Sequence, residues 1–196
     1  MSRTVVFNMT ISLDGRITGP DGNDDMGWVV PHVFSDEVRD YLDDAISTAT
    51  TAVMGSVNAD GFAGFWPAVA DDPDADPRDR AFARWLNGAE KIVLSSRENS
   101  AWPDATVVDR DAVDVIAELR QNAGGDILIL NSVSVAMPLL DAGLVDRLDL
   151  VLLPEIVGAG RVLFETPLTA SKWKLDSLAR SESGALALRY SKAQQA

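Results

Sequence analysis

The stretch Gly124–Phe164, GGDILILNSVSVAMPLLDAGLVDRLDLVLLPEIVGAGRVLF, restricts the fold of this chain more than any other segment. A short apolar run, Ile127–Leu130, ends at Asn131-Ser132, where the Ser132 hydroxyl is placed to cap a helix. A second apolar run, Leu148–Leu153, follows a helix stop at Gly143. The pattern predicts strand, helix and strand. A right-handed crossover of this kind sets the helix N-terminus, with its free N–H groups, at the carboxyl end of the first strand. Anions bind at such places.

Composition narrows what the site belongs to. A chain of 196 residues with 46% hydrophobic and 24% charged residues is one domain, 1–196, able to bury a core without staples. Cysteine is absent and His32 is the only histidine. Disulfide frameworks, thiolate metal sites and cysteine nucleophiles are excluded, and no G-x-S-x-G elbow accompanies His32. A net charge of −13 argues against nucleic acid. No apolar run is long enough for a membrane span, and polar residues interrupt MSRTVVFNMTIS where a signal peptide would be apolar, so the expected location is the cytoplasm.

In chain order, Thr4–Ile11 is an apolar, β-branched run expected to form a buried strand. Ser12–Asn23, rich in glycine, opens a long loop that continues to Pro31. Trp28 in that loop is placed either to stack on a flat heterocycle or to anchor the loop on the sheet. Ser35 is read as the cap of a helix whose inner face is Val38, Tyr41, Leu42, Ala45 and Ile46, with acids such as Asp36 in its first turn. Thr51–Met54 is a strand that stops at Gly55. Ser56–Gly64 reads as a short helix and loop, a second strand–glycine–helix junction. Residues 67–80 read as a solvated acidic connection. Arg80–Leu86 is a helix with Phe82, Trp85 and Leu86 inward. Lys91–Leu94 is a strand emptying into Ser95-Ser96-Arg97, which is either a phosphate grip or an ordinary polar turn. Ala105–Val108 is a strand, and Asp111–Asn122 a helix with Val113, Ile116, Ala117 and Leu119 inward. Trp173–Leu178 and Ala185–Tyr190 form a closing antiparallel hairpin around Ser183-Gly184. The sum is a three-layer α/β/α domain with a mostly parallel central sheet. Gly158-Ala159-Gly160 reads as a tight turn more readily than as a phosphate loop.

These segments resemble the dihydrofolate-reductase-like superfamily: SLDG at Ser12–Gly15, VMGSVNADGF at Val53–Phe62, KIVLSS, GGDI at Gly124–Ile127, and the run from Ala142 to Phe164. The nearest resemblance is to the riboflavin-biosynthesis reductase domain in its stand-alone form, and Gly143–Phe164 is its most specific part. The resemblance implies the dihydrofolate-reductase-like fold and an NADPH-dependent reductase, usually a homodimer, that passes hydride directly to a small-molecule pterin or pyrimidine of riboflavin-precursor type. It implies no metal.

The resemblance also implies a cofactor site: Gly55, Ser56 and Asn58 at the first junction, Ser95, Ser96 and Arg97 near the adenosine 2′-phosphate, and Asn131, Ser132 and Val133 by the pyrophosphate. Thr10 and Ile17 would edge the nicotinamide. Asp14, as lid residue or acid, and Asp36, where relatives carry a substrate carboxylate, are the catalytic candidates, and Trp28 is the substrate candidate. The chain departs from the family at both junctions. Gly55-Ser56-Val57-Asn58 lacks the usual arginine and threonine, and Asn131 stands where a glycine is usual; asparagine tolerates positive φ best among the alternatives. These departures motivate a second reading, a non-catalytic or repurposed relative that binds another nucleotide-like ligand.

Overall fold

The computed structural model describes residues 2–22, 25–102 and 104–193. Residues 23 and 24 of the expected long loop, and the ends of the expected domain, lie outside this description. The first half of the chain supplies β1 (Val5–Ser12), α1 (Val30–Val33), α2 (Asp36–Ser47), β2 (Ala49–Gly55), α3 (Ser56–Val69), α4 (Pro77–Gly88) and β3 (Glu90–Leu94). The second supplies β4 (Thr106–Val108), α5 (Ala112–Leu119), β5 (Asp126–Leu130), α6 (Val133–Asp141), β6 (Arg147–Leu153), β7 (Trp173–Arg180) and β8 (Leu186–Lys192).

All the strands join one sheet in the order β4-β3-β2-β5-β1-β6-β8-β7. From β4 to β6 every pairing is parallel, whereas β8 runs antiparallel to β6 and β7 antiparallel to β8. The near-continuous apolar runs follow from burial on both faces, with alternate residues serving opposite layers. Val5, Phe7, Ile127 and Ile129 pack under α5 and α6, where Ile116, Leu119, Ala136 and Leu139 complete the layer. Val6, Ala52, Met54, Leu128 and Leu130 face the other way, toward Ile46 of α2, Ala59 of α3 and Phe82 of α4. Each such fully buried large side chain contributes roughly 1.5–3 kcal/mol.

Three expectations are corrected. On α5 Val115 is buried together with the expected Ile116 and Leu119, whereas Val113 is half-buried and Ala117 is exposed. Helix α3 does not stop near Gly64 but runs through Pro67 to Val69. Trp66 meets Phe82 edge-on with centroids 4.5 Å apart, and that packing outweighs the low helix propensity of the segment. Nor are residues 67–80 merely a solvated connection, because α4 begins at Pro77. There the Asp76 carboxylate accepts the Arg78 N–H, an acidic cap followed by proline at the first helical position. Lys91, wholly buried, closes the other end of α4 by donating to the carbonyls of Leu86, Asn87 and Ala89. Ser35 does stand at the N-terminal boundary of α2, but its buried hydroxyl makes no capping bond.

Candidate functional site

The carboxyl ends of β1, β2 and β5 open into a cleft of about 580 Å³. Two helices begin there. α3 starts directly after Gly55 and α6 after Ser132, and neither carries a side-chain cap. Ser132 is expected as a cap, yet its hydroxyl accepts the Gly55 N–H at 3.0 Å and donates to the Leu130 carbonyl at 2.9 Å. It therefore ties β2 to β5 and leaves the first N–H groups of α6 facing the cleft. A side chain at Gly55 would meet the Ser134 hydroxyl at 3.2 Å, so glycine keeps the two helix ends close together. Uncapped N-termini converging on one cavity make a strong anion site.

Asn131 is the one non-glycine residue with positive φ among the described residues, at 47°. Its side chain turns across the strand end, where Oδ1 accepts the Thr10 N–H at 3.1 Å. The Asn131 carbonyl accepts Asn58 Nδ2 at 2.9 Å, so Asn58 fixes the junction from α3 and is not a helix cap. Thr10, Ile17, Gly55, Ser56, Asn58, Asn131, Ser132 and Val133 all line the cleft. Ser95 and Ser96 line a second recess of about 410 Å³, joined to the cleft through Leu94 and Ser134, which border both. Arg97 borders neither and holds Asp60 at 2.7 Å. The cation that lines the recess is Arg110, paired with Glu118.

The other candidates stand elsewhere. Asp14 does not line the cleft. Its carboxylate accepts the Ser12 hydroxyl at 2.6 Å and the backbone N–H groups of Val157 and Gly158, and these bonds, the Ser12 hydroxyl foremost, hold its carboxyl well below the usual range. It stays ionised and fastens the loop after β1 to the turn at Gly158-Ala159-Gly160. Ile17 N–H donates to Arg161 there and Ile17 is pressed over the cleft floor. Asp36 is exposed on α2, paired with Arg78 and outside the cleft lining. Trp28 packs against the cluster formed by Val29, Val38 and Tyr41 and is not among the residues lining the cleft. His32 is buried behind the same wall, 2.9 Å from Glu155 and 3.0 Å from Ser183, and joins α1 to the closing hairpin.

Several cleft residues escape sequence reasoning. Asn8 lines the floor and donates to the Asp149 carbonyl at 3.5 Å. Ser134 sits in the first turn of α6, exposed to both recesses. Phe34, Phe62, Phe65 and Trp66 form the outer wall, although Trp66 reads from sequence as a core or subunit-contact residue. The spacing of Phe62, Phe65 and Trp66 on α3 is the available signal, but an aromatic stripe at helical spacing more often marks a core.

The family description "RibD C-terminal domain" matches residues 3–187 of this sequence. The chain belongs to the RibD C-terminal domain family. Among curated proteins it is 24% identical to the uncharacterized protein YyaP of Bacillus subtilis (strain 168) over 162 residues, 83% of this chain and 80% of YyaP. Among solved structures it is similar to the Thermotoga maritima diaminohydroxyphosphoribosylaminopyrimidine deaminase/5-amino-6-(5-phosphoribosylamino)uracil reductase. That match has a TM-score of 0.66 at 15% identity and covers 98% of this chain but 57% of the other. It is also similar to the dihydrofolate reductase of Enterococcus faecalis complexed with NADP(H), with a TM-score of 0.61 at 14% identity, covering 99% and 100% of the two chains. At these identities the solved structures establish the dihydrofolate-reductase-like fold. Both of these structural neighbours are reductases.

Proposed function

We propose that the chain is an NADPH-dependent reductase that passes hydride directly to a pterin or to a pyrimidine of riboflavin-precursor type. The observation that carries this reading is the convergence of two uncapped helix N-termini, α3 and α6, on one cleft at the strand ends. Such a pair suits a pyrophosphate, whose two charges meet two helix ends. The bound nicotinamide supplies the hydride. Ile17 and Met9 give an apolar floor beneath the transfer, while Thr10 and Asn131 fix the end of β1. Ser134, Ser95 and Ser96, which line the adjoining recess, would hold the adenosine end. Asp14 acts through the loop that it fastens. With Asp14 held ionised and Asp36 outside the cleft, the proton that completes reduction is assigned to water entering the cleft.

NADPH at a hundredfold excess over Kd is expected to stabilise the protein by about 2.7 kcal/mol. The absence of any thermal shift with NADPH or NADH would leave the second reading, a relative that binds another nucleotide-like ligand. That reading draws support from the Thr10 N–H, which Asn131 already occupies. Arg97 would reach a 2′-phosphate by exchanging Asp60 for it, and with that exchange Arg97→Ala is expected to weaken NADPH about tenfold more than NADH, the worth of one charge-assisted contact. Equal losses would refute the assignment of Arg97 to the 2′-phosphate, and Arg110→Ala tests the alternative cation in the recess.

The proposed assembly is a homodimer working in the cytoplasm. Support comes from the sheet face beyond α6, where Leu178 lies opposite Leu188 and Leu175 opposite Tyr190. An irregularity between Leu175 and Ser177 brings both leucines to one face, and both are exposed. Light scattering is expected to give twice the chain mass of 21.0 kDa. The pair of changes Leu175→Asp and Leu178→Asp is expected to yield monomer; a monomeric parent protein would overturn the assembly.

A further inference from the structure

The half of the cleft away from the helix N-termini has an uncommon combination of walls. Phe34 is 38% exposed and Phe65 52% exposed, both on the concave surface of the cleft. Phe65 and Trp66 stand edge to face at 5.1 Å, and Trp66 continues the stack to Phe82. Flat ring compounds are favoured by such walls.

The charges beside this wall point the same way. Arg39 and Arg78 line the cleft, but neither is available to an anion. Arg39 spends Nε and Nη2 on Asp79 at 2.9 and 2.7 Å, and its guanidinium lies 5.4 Å over the Phe34 ring. Arg78 is held by Asp36 at 2.5 Å, Asp40 at 2.7 Å and Asp76 at 3.0 Å. The hydrogen bonds to Arg78 keep Asp76 ionised far below the usual carboxylate range. Asp43 and Asp79 line the cleft as well, equal in number to these two guanidinium groups, and Asp36, Asp40 and Asp76 bound to Arg78 tip the charge around this wall to the carboxylates. A phosphate placed here would meet that excess and would have to break a bidentate pair to gain a cation. Arg161, the remaining arginine of the lining, stands apart from this wall in the chain segment bonded to Ile17 and Thr18: its N–H donates to the Thr18 hydroxyl, its carbonyl accepts the Ile17 N–H, and its guanidinium lies 3.7 Å from Glu165. The substrate named for the Thermotoga maritima protein carries a phosphoribosyl group, for which this wall is unsuited.

We propose that the substrate half of the cleft selects a flat, uncharged ring compound without a phosphate, with Phe65 and Phe34 as contact residues and the Arg39–Asp79 pair as the barrier to anions. The inference rests on the reading that the nicotinamide takes the other half.

The test is a set of calorimetric titrations of the full chain, saturated with NADP⁺ and again without it, using quinoxaline, quinoxaline-2-carboxylate and uridine 5′-monophosphate. Quinoxaline is expected to bind about tenfold or more tightly than either anion, a difference of ~1.4 kcal/mol. Phe65→Ala, at an exposed position that does not endanger folding, is expected to weaken quinoxaline roughly three- to tenfold while leaving NADP⁺ affinity unchanged. Asp79→Asn, which releases Arg39, is expected to raise the affinity for uridine 5′-monophosphate. The proposal is overturned if either anion binds as tightly as quinoxaline, if quinoxaline does not bind, or if Phe65→Ala leaves its binding unmoved. Failure of NADP⁺ to bind would instead refute the cofactor reading, and the order of the probes on the free protein would still be read.

Discussion

Asp149→Ala is expected to lower stability by about 3–5 kcal/mol, measured by urea unfolding, and to reduce the melting temperature by roughly 6–20 °C. Asp149 is fully buried on β6 and is the shared partner of two arginines. Arg147 Nε reaches Oδ1 at 3.1 Å, and Arg189 Nε reaches the same oxygen at 3.1 Å from β8. Removing the carboxylate leaves two largely buried guanidinium groups without their shared partner. They retain only their outer partners, Asp126 for Arg147 and Asp44 for Arg189. Removing all three together, as Arg147→Met, Asp149→Leu and Arg189→Met, is expected to restore much of the loss, because the desolvation cost goes with the charges. Equal instability of the single and triple variants would show that the loss comes from packing and not from the unpaired cations.

Ser134→Asp is expected to move ligand affinity and protein stability in opposite directions. An acid in the first turn of α6 complements the helix dipole and adds about 0.3–1 kcal/mol to stability. The same carboxylate stands where the pyrophosphate is proposed to lie. At about 5 Å and an effective dielectric of 20, one pair of like charges costs about 3 kcal/mol, close to a hundredfold in Kd. Ser134→Asn, similar in size but neutral, is expected to spare NADPH binding. A stabilised Ser134→Asp protein that still binds NADPH with unchanged affinity would remove the pyrophosphate from this helix end.

The layers of the fold were legible because burial on both faces writes the parallel strands as short β-branched runs, and Ser183-Gly184 marks the closing hairpin. The positive φ of Asn131 was legible too, since few other side chains tolerate it. What its amide would touch was not, because Thr10 lies more than a hundred residues away and sequence periodicity carries no such pairing. Ser35 and Ser132 show the same limit: position marks a helix boundary, but the partner of a hydroxyl depends on tertiary neighbours. The outer wall of the cleft was hidden for a different reason. Phe62, Phe65 and Trp66 recur as core residues do, and the acidic, proline-punctuated run before α4 reads as solvated until Arg39 and Arg78 are seen to need its carboxylates.

The place of β1 between β5 and β6 bears on how the chain is made. Val5 pairs with Ile127, and Val6 with Arg147, so β1 finds its neighbours only after more than a hundred further residues have been synthesised. At about 5–20 residues per second, that wait is roughly 7–30 s. Throughout it, an apolar strand with both edges unpaired is open to the wrong partner. Heterologous expression is therefore expected to gain more from slower growth or from a holdase chaperone than from any change at the surface.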